Sequence, residues 1–307
     1  MTAIVTTFNR AATVRRAIDS VLNHTQPNVD VVVVDDGSTD GTDAALREYE
    51  RSPRVLVVRH ENNRGVTAAK NAGLDALPPD TRFTGFVDSD DAIYPECVQR
   101  LLRPMLEVPG RYSQVLGWYR DRAGGQPRGT APVRDGMVTY EHALCGRLEG
   151  DFWHLAPRDL IDRYRFDERA AGGESSVWWP MLKQRPGYLL DVVVGEVDSS
   201  GSDRVSRRTY EPRSARRVMH AYLAVLDAVG EDMRRACPRR FAGLCAEASK
   251  WARLAGEGRL ARTQARMAIR LAPSPRTVAL SLAAYVPTPL MRKTAKAWAR
   301  WHGSPTA

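Results

Sequence analysis

The chain has 307 residues, 43% of them hydrophobic and 26% charged, as in a globular protein with one large domain or two ordinary ones. It contains no apolar run of about eighteen residues, so no membrane-spanning helix is expected. The N-terminus enters a β-branched stretch at Thr2 without a basic region or an apolar core. This argues against a signal peptide and predicts a cytoplasmic protein.

The net charge of +9 belongs to the C-terminal third of the chain. Residues 211–307 hold 18 basic and 6 acidic side chains, a net of +12, whereas residues 1–210 hold 27 basic and 30 acidic ones. Such asymmetry suggests an acidic partner, for example a membrane surface or nucleic acid. The alternative is a solvated arginine-rich helical face, which is the commoner use of a charge run.

The cysteines are Cys97, Cys145, Cys237 and Cys245, and they lack the spacing of metal ligands. In a cytosolic protein such cysteines are most simply reduced. We therefore expect free, buried thiols.

The N-terminal part of the chain alternates between apolar runs and amphipathic segments. The run at 29–34 is almost continuously apolar, as is typical of a strand buried on both faces of a parallel sheet. This alternation predicts an α/β fold with a parallel sheet. The predicted strands are 2–7, 29–34, 54–59 and 83–87, and the predicted helices are 11–23, 42–51 and 66–77.

The pattern changes twice further along the chain. In the middle we predict helices at 96–106, 158–163 and 172–184 and strands at 113–119 and 187–197. Beyond Pro212, Ala, Arg and Leu recur at helical spacing. The predicted helices there lie near 213–229, 239–255, 258–271, 276–285 and 289–301. We therefore predict an α/β domain at 1–210 and a basic helical region at 211–307.

Polar loops follow three of the predicted strands, at Thr6–Arg10, Asp35–Thr42 and Asp88–Asp91. Because ligands bind at the carboxyl ends of parallel strands, we expect these loops to meet in one site. Asp88, Asp90 and Asp91 would repel one another without a cation, and a divalent ion brings phosphate with it. The alternative is a solvated acidic turn that caps the next helix.

Other nucleotide sites are less well supported. The first strand is not followed by GxGxxG, and GxxxxGK[ST] does not occur in the sequence. Dinucleotide-binding and P-loop sites would therefore lack their usual phosphate-binding turn.

Four segments stand in order along the chain: Thr6–Arg10, Val34–Asp40, Asn63–Gly65 with Ala69–Leu74, and Val87–Asp91. They resemble the motifs of family 2 glycosyltransferases, which have the GT-A (nucleotide-diphospho-sugar transferase) fold, a Rossmann-like mixed sheet. The resemblance extends from Ala3 to about Arg207 and leaves the helical tail uncovered. It implies an inverting, metal-dependent transferase that uses a nucleotide-diphosphate sugar.

The resemblance also implies residue roles. Thr6 and Asp36 would frame the nucleobase, and a carboxylate suits the imide N–H of uracil or thymine, hence a UDP- or dTDP-sugar. Asn9 and Arg10 share one loop, and Arg10 would reach a phosphate. Lys70 stands where the family often has Arg near the diphosphate, without the bidentate fork of Arg.

The Asp-x-Asp pair of the family corresponds to Asp88 and Asp90, with Ser89 between them. These residues would bind the ribose and, through Mn²⁺ or Mg²⁺, the diphosphate. Asp91 is a second candidate metal ligand.

Glu174 is the candidate catalytic base, because similar enzymes place a carboxylate after Gly and before an aromatic residue, here Trp178. The family's second acidic residue is Ser175 in this chain. The alternative for Glu174 is a charge that faces the N-terminus of a helix. Phe152, Trp153 and His154 fall where similar enzymes shape the acceptor site, although core packing is the commoner use of such aromatics.

The expected partners are the nucleotide-sugar donor and a glycan, lipid-linked or small-molecule acceptor, with no nucleic acid. Two rivals are a nucleotidyltransferase, which would need a Gly-rich basic loop after the first strand, and a non-catalytic sugar-nucleotide-binding or carbohydrate-binding protein. The tail at 288–307 combines four basic residues with Trp298 and Trp301. It would either lie on an anionic membrane at its inner face or pack on the protein.

Overall fold

The structure, a computed structural model, describes residues 1–23, 29–127, 129–198, 214–291 and 293. Its contacts divide these residues into two compact units. The first unit comprises Met1–Ala143, Arg147–Glu168 and residues 177–198. The second comprises Leu144–Gly146, Arg169–Ser176 and the described residues from 214 onward. The predicted domain boundary at 210 falls outside the described residues, and the second unit also takes in two short segments from within 1–210.

The first unit is built around a mixed β-sheet. Its strands are β1 (Thr2–Thr7), β2 (Asp30–Asp35), β3 (Val55–Arg59), β4 (Phe83–Asp88), β5 (Ala92–Ile93), β6 (Val115–Asp121), β7 (Gly129–Thr130), β8 (Gly136–Val138), β9 (Glu149–Gly150), β10 (Phe152–Pro157) and β11 (Gly187–Val197). The helices up to residue 184 are α1 (Val14–Leu22), α2 (Thr42–Leu46), α3 (Val66–Asp75), α4 (Cys97–Glu107), α5 (Tyr140–Leu144), α6 (Arg158–Ile161) and α7 (Ser175–Gln184).

The strand order in the main sheet is β3-β2-β1-β4-β10-β6-β11-β5, and β8 pairs with β11. The strands β1 to β4 are parallel to one another, whereas β10 runs antiparallel to both β4 and β6. The strands β7 and β9 form a separate antiparallel pair. The predicted α/β mixed sheet is therefore confirmed.

Both faces of β1 and β2 are covered by apolar side chains. Ile4 and Val32 belong to one core cluster and Val5 and Val33 to the other, because successive side chains of a strand point to opposite faces. This burial on both faces explains the unbroken apolar run that predicted β2. Helix α1 buries its apolar stripe, which begins at Val14, in the cluster that contains Val5 and Val33.

Three elements differ from the sequence prediction. The helix predicted at 42–51 is the short α2 followed by a 3₁₀ turn at Tyr49–Arg51. The strand β10 was not predicted, because its aromatic and histidine residues show no clear alternation and its antiparallel partners are distant in sequence. The two-residue strand β5 is defined only by its pairing with β11.

The second unit contains the helices α8 (Ala215–Ala236), α9 (Pro238–Ala255), α10 (Gly258–Leu271) and α11 (Pro275–Leu282). Small residues such as Ala252, Ala261 and Ala265 are fully buried in their shared core, and Ser249 Oγ donates to the carbonyl of Ala261 at 2.8 Å. Four of the predicted C-terminal helices are confirmed. The helix predicted at 289–301, and with it the tail that was considered for membrane contact, lies mostly outside the described residues.

Two cysteine predictions need correction. Cys145 and Cys237 form a disulfide within the second unit, with their Cα atoms 5.4 Å apart. Spacing could not reveal this pair, because 92 residues separate its members and only the fold brings them together. Cys97 and Cys245 are free and buried, as expected.

None of the described helices combines the length and apolarity that crossing a membrane would require.

Candidate active site

The three polar loops meet at one edge of the sheet. Thr6 of β1 lies beside Val34 of β2 and beside Asp88 of β4, and Thr7 lies beside Asp35. The loops that leave these strands therefore begin side by side, as the sequence predicted.

The first two loops are joined by hydrogen bonds. Asn9 donates its backbone N–H to Ser38 Oγ at 2.9 Å and accepts the N–H of Thr39 on Oδ1 at 2.8 Å. The N–H of Arg10 donates to Thr42 Oγ1 at 2.9 Å. Asn9 has a positive φ of 52°, a conformation that Asn tolerates better than most residues. The Asn9 side chain thus fixes the two loops to each other.

Asp40 stabilises the same contact between the first two loops. Its carboxylate accepts from the backbone N–H and the hydroxyl of Thr42 and from the N–H of Ala11, at 3.0, 2.6 and 3.1 Å. Burial acts to raise the pKa of Asp40, but these hydrogen bonds outweigh it, so that the pKa lies below its usual value. The last acidic residue of the Val34–Asp40 motif therefore has a structural role.

Asp36 organises the loop that follows β3. Its Oδ1 lies 2.7 Å from Nδ1 of His60 and accepts the N–H of Arg64 at 2.9 Å, while Oδ2 accepts the N–H of Gly65 at 2.7 Å. Gly37 has a φ of +76°, and a Cβ there would lie 2.7 Å from the backbone of Asn62. The close approach of the two loops therefore requires glycine at position 37. Both carboxylate oxygens of Asp36 are already used to hold the loop that follows β3.

Two basic residues face the acidic loop. Arg10 Nη2 lies 3.9 Å from Asp90 Oδ2, and Lys70 Nζ lies 3.8 Å from Asp88 Oδ1. The side chain of Lys70 is 8% exposed and that of Asp88 is 50% exposed. The ammonium of Lys70 also lies 5.7 and 5.8 Å from the ring centroids of Phe86 and Phe166. The protein therefore places positive charge beside these carboxylates. The sequence had led us to expect that a metal ion alone would neutralise them.

A third cation holds the backbone of the acidic loop. The guanidinium of Arg16, on α1, donates to the backbone carbonyl of Asp90 and lies 2.8 Å from Glu196 Oε1 of β11. The hydroxyl of Tyr94 donates to the other oxygen of Glu196 at 3.4 Å. Sequence reasoning missed this contact, because Arg16 looks like any charge on the exposed face of an amphipathic helix.

The interior of the loop is polar as well. Asp91 is buried and its N–H donates to the carbonyl of Asp88 at 2.9 Å. Tyr119 is buried, and burial followed by the charges of Asp91 and Asp88 raises its pKa well above the usual value. Its hydroxyl and Thr7 Oγ1 make no hydrogen bond within the described part of the chain. The acidic loop therefore has a buried tyrosine nearby whose hydroxyl makes no hydrogen bond within the described residues.

This arrangement tests the predicted metal site. Among the described residues, no three His, Cys, Asp or Glu side chains converge closely enough to hold a metal ion by themselves. Asp88 and Asp90 are nevertheless partly exposed, carry oxygen donors suited to Mn²⁺ or Mg²⁺, and keep their basic neighbours at about 4 Å. The residues fit a cation that a ligand's oxygens also coordinate, and they do not fit a metal site closed by protein alone.

The aromatic residues near β10 divide into two groups. Trp153 is buried in the core and donates Nε1–H to the carbonyl of Phe86 at 2.8 Å. His154 stacks on Trp178 with ring centroids 4.5 Å apart, and its Nδ1 lies 2.8 Å from Gln114 Oε1. Core packing therefore explains Trp153, whereas His154 is oriented by specific partners.

Glu174 lies in the second unit, on the Arg169–Ser176 segment. This segment is fixed to α8, because the N–H of Ala171 donates to the carbonyl of Arg217 at 3.2 Å. Gly173 has a φ of +82°, and a Cβ there would lie within about 3 Å of Ala221. The glycine before Glu174 is therefore required by close backbone packing within this unit.

Comparison with known proteins gives the family. Residues 2–143 match the family described as glycosyl transferase family 2. The GalNAc(5)-diNAcBac-PP-undecaprenol beta-1,3-glucosyltransferase of Campylobacter jejuni is 25% identical over 195 residues, which are 62% of each protein. Glycosyltransferase GlyA of Streptococcus pneumoniae is 36% identical over 206 residues, 66% of this chain and 27% of GlyA.

The chain contains a glycosyl transferase family 2 segment at residues 2–143. It spans less than two thirds of the length of both relatives. The predicted family is therefore confirmed.

Solved structures agree with this family 2 fold. Staphylococcus aureus TarS 1–349 in complex with UDP-GlcNAc superposes with a TM-score of 0.65 at 18% identity, covering 98% of this chain and 91% of that one. Mannosyltransferase PcManGT of Pyrobaculum calidifontis, in complex with GDP-Man and Mn²⁺, superposes with a TM-score of 0.55 at 20% identity, covering 96% and 83%. The predicted GT-A fold is confirmed.

Proposed function

We propose that this protein is an inverting, metal-dependent glycosyltransferase that moves a sugar from a nucleotide-diphosphate donor to an acceptor hydroxyl. The observation that carries the proposal is the acidic loop, in which Asp88 and Asp90 lie beside Lys70 and Arg10 at the carboxyl edge of the parallel strands. Paired carboxylates and cations at one edge suit a ligand that has both a ribose and a diphosphate.

The donor would lie across the three loops. Thr6 and Asp36 would frame the nucleobase, which we propose to be uracil or thymine. Asp36 already accepts hydrogen bonds on both oxygens. It would therefore contact the nucleobase through its remaining lone pairs and through the loop that it orients. In this scheme Asn9 fixes the loop that carries Arg10, and Arg10 and Lys70 face the diphosphate.

Asp88, Ser89 and Asp90 would bind the ribose and share a Mn²⁺ or Mg²⁺ ion with the diphosphate, and Asp91 is a further candidate ligand. When bound, the ion would act as a Lewis acid that stabilises charge on the leaving diphosphate. Lys70 and Arg10 would add positive charge at the same place. The solved neighbour with GDP-Man and Mn²⁺ supports a metal in general, and the one with UDP-GlcNAc supports a uridine nucleotide.

Glu174 is the proposed base. In a single inverting displacement, one carboxylate takes the proton of the acceptor hydroxyl as that oxygen attacks the anomeric carbon. This assignment rests on the family resemblance and on the fixed Gly173–Glu174 turn. Its structural alternative, a charge at the start of α7, stays open.

For the acceptor we propose a glycan or a lipid-linked glycan. The printed name of the Campylobacter relative describes an undecaprenol-linked acceptor, which supports the lipid-linked case. Among the aromatic candidates, Phe152 and His154 are partly exposed and would be available to the apolar face of a sugar, whereas Trp153 and Trp178 are buried. A peripheral position at the inner face of a membrane is part of the same proposal and depends on the tail.

The deciding experiment is a donor panel of UDP-, dTDP- and GDP-sugars with Mn²⁺ or Mg²⁺, monitored for release of the nucleoside diphosphate. We expect slow release from at least one uridine or thymidine donor without acceptor, and faster release with an oligosaccharide or lipid-linked acceptor. Binding of the nucleotide without any release would instead favour a non-catalytic sugar-nucleotide-binding protein.

A further inference from the structure

The arginine-rich helix α10 presents a basic face whose arginines form no ion pair with the described residues. Arg259, Arg262, Arg266 and Arg270 recur at spacings of three and four residues, which places them on one side of a helix. Helix α10 contains no acidic residue. Arg259, Arg266 and Arg270 are exposed. The transfer reaction proposed above gives these side chains no role.

Part of this face borders a groove. The groove has a volume of about 440 Å³ and is lined by Arg234 of α8 together with Thr263, Arg266, Met267, Arg270 and Leu271 of α10. Both helices pack against α9, and Met267 Sδ lies 3.9 Å from Cys245 Sγ of that helix. A volume of this size is sufficient for a small ligand.

The charges of the groove are poorly balanced. No carboxylate belongs to its lining. Arg234 pairs with Glu231, but Glu231 also pairs with Arg235. Arg266 and Arg270 have no acidic partner within the described part of the chain. Three guanidinium groups around one groove repel one another, so an anion that enters would be stabilised by all of them.

We propose that this groove is a binding site for a phosphate ester. Guanidinium groups match the geometry of phosphate oxygens and form charge-assisted, often bidentate hydrogen bonds with them. Thr263 also lines the groove, and its hydroxyl donates to the carbonyl of Arg259 at 3.1 Å. Met267 and Leu271 form an apolar part of the lining that would contact the carbon chain of the ester.

The composition of the lining favours a phosphate ester over a nucleic acid. No aromatic residue lines the groove, and single strands are usually bound by stacking of bases on aromatic side chains. The groove shares no residue with the proposed transfer site, because its lining contains none of the residues assigned to the donor, the metal or the base.

The test is calorimetric titration of the full-length protein in EDTA with inorganic phosphate, glycerol 3-phosphate and monomeric dihexanoyl phosphatidic acid. The groove variant is Arg266→Gln with Arg270→Gln. The matched control is Arg235→Gln with Arg239→Gln, which removes the same charge from the same unit outside the lining. All four substitutions are at exposed positions, and thermal unfolding checks that each variant is folded.

We expect the wild-type protein and the control to bind at least one of the two esters, and the groove variant to bind it at least about tenfold more weakly. Preference for the lipid over glycerol 3-phosphate would identify a lipid headgroup as the source, and equal affinity a soluble ester. No binding by the wild-type protein, equal weakening in both double variants, or unchanged affinity in the groove variant would overturn the proposal.

Discussion

The guanidinium of Arg16 donates a hydrogen bond to the backbone carbonyl of Asp90, although 74 residues separate them in the chain. Glu196 of β11 holds the same guanidinium at 2.8 Å. Arg16 Nε is buried and makes no hydrogen bond within the described residues. Arg16 therefore joins α1, the acidic loop and β11, and it positions Asp90 without using its carboxylate.

We predict that Arg16→Gln lowers turnover about tenfold to hundredfold and raises the Mn²⁺ concentration needed for half-maximal activity. Without Arg16 the backbone of Asp90 would be held less firmly, and a small displacement of Asp90 is enough to lower turnover by this amount. Glu196→Gln should have a smaller effect in the same direction. Steady-state kinetics across a Mn²⁺ titration, together with Mn²⁺ binding by electron paramagnetic resonance in the presence of UDP, checks both variants.

The matched control is Arg15→Gln on the same helix. Arg15 pairs with Glu48 at 3.0 Å, and both side chains are about half exposed, so its loss should leave metal dependence unchanged. If Arg15→Gln and Arg16→Gln behave alike, Arg16 has no specific positioning role.

Asp90→Asn should abolish most of the turnover while leaving the fold intact. The substitution keeps the shape of the side chain and removes the charge that faces Arg10 and that would bind the proposed metal ion. Activity of the wild-type protein should disappear with chelator and return with Mn²⁺ or Mg²⁺. Full activity of Asp90→Asn in metal-free buffer would contradict the proposed site.

Glu174→Gln should lower turnover about 10²–10⁴-fold with donor binding preserved, because the amide cannot accept the proton of the acceptor. Donor affinity is measured by titration with the nucleotide sugar, and turnover by release of the nucleoside diphosphate. Turnover near that of the wild-type protein would move the role to another carboxylate, and Asp151 and Asp167 would be tested next.

Acid should weaken the junction of the first two loops through Asp40. Its pKa in the folded protein is lowered from 3.8, so its contribution to stability is fully present above the unfolded value and is lost as pH falls through the folded value. We expect Asp40→Asn to lower the free energy of unfolding near pH 6, with the difference from the wild-type protein shrinking below about pH 4. Urea unfolding as a function of pH measures this difference.

Asp43 provides the comparison for Asp40. Its pKa is also lowered, mainly by a hydrogen bond from Arg47, but that pair is exposed and should be screened by salt. The pH-dependent effect of Asp43→Asn should therefore fade at high salt, whereas that of Asp40→Asn should persist. Equal salt sensitivity would contradict the role assigned to the backbone hydrogen bonds of Asp40.

The disulfide between Cys145 and Cys237 should stabilise the second unit. Thiol titration of the unfolded protein without reductant should detect only Cys97 and Cys245, which are free. Reduction should lower the free energy of unfolding by about 2–4 kcal/mol in the wild-type protein. The Cys145→Ser, Cys237→Ser double variant should be insensitive to reductant, and detection of all four thiols before reduction would refute the pair.

The sequence by itself determined the parallel core and the loops that it brings together. The apolar runs behind β1, β2 and β4 fix these strands, because a strand buried on both faces needs no information from distant residues to be recognised. The polar loops at their ends then had to meet at one edge, and the structure shows that they do. The four spaced motifs also sufficed to indicate the family.

Only the tertiary structure decided what the individual motif residues hold. Asp36 orients the loop at 60–65, Asp40 braces Ala11 and Thr42, and Arg16 reaches Asp90. The pairing of Cys145 with Cys237 and the antiparallel β10 were equally invisible. The physical reason is the same in each case: hydrogen bonds and disulfides depend on atoms within a few ångströms of one another, and residues far apart in the chain reach such distances only after the sheet and its helices have packed.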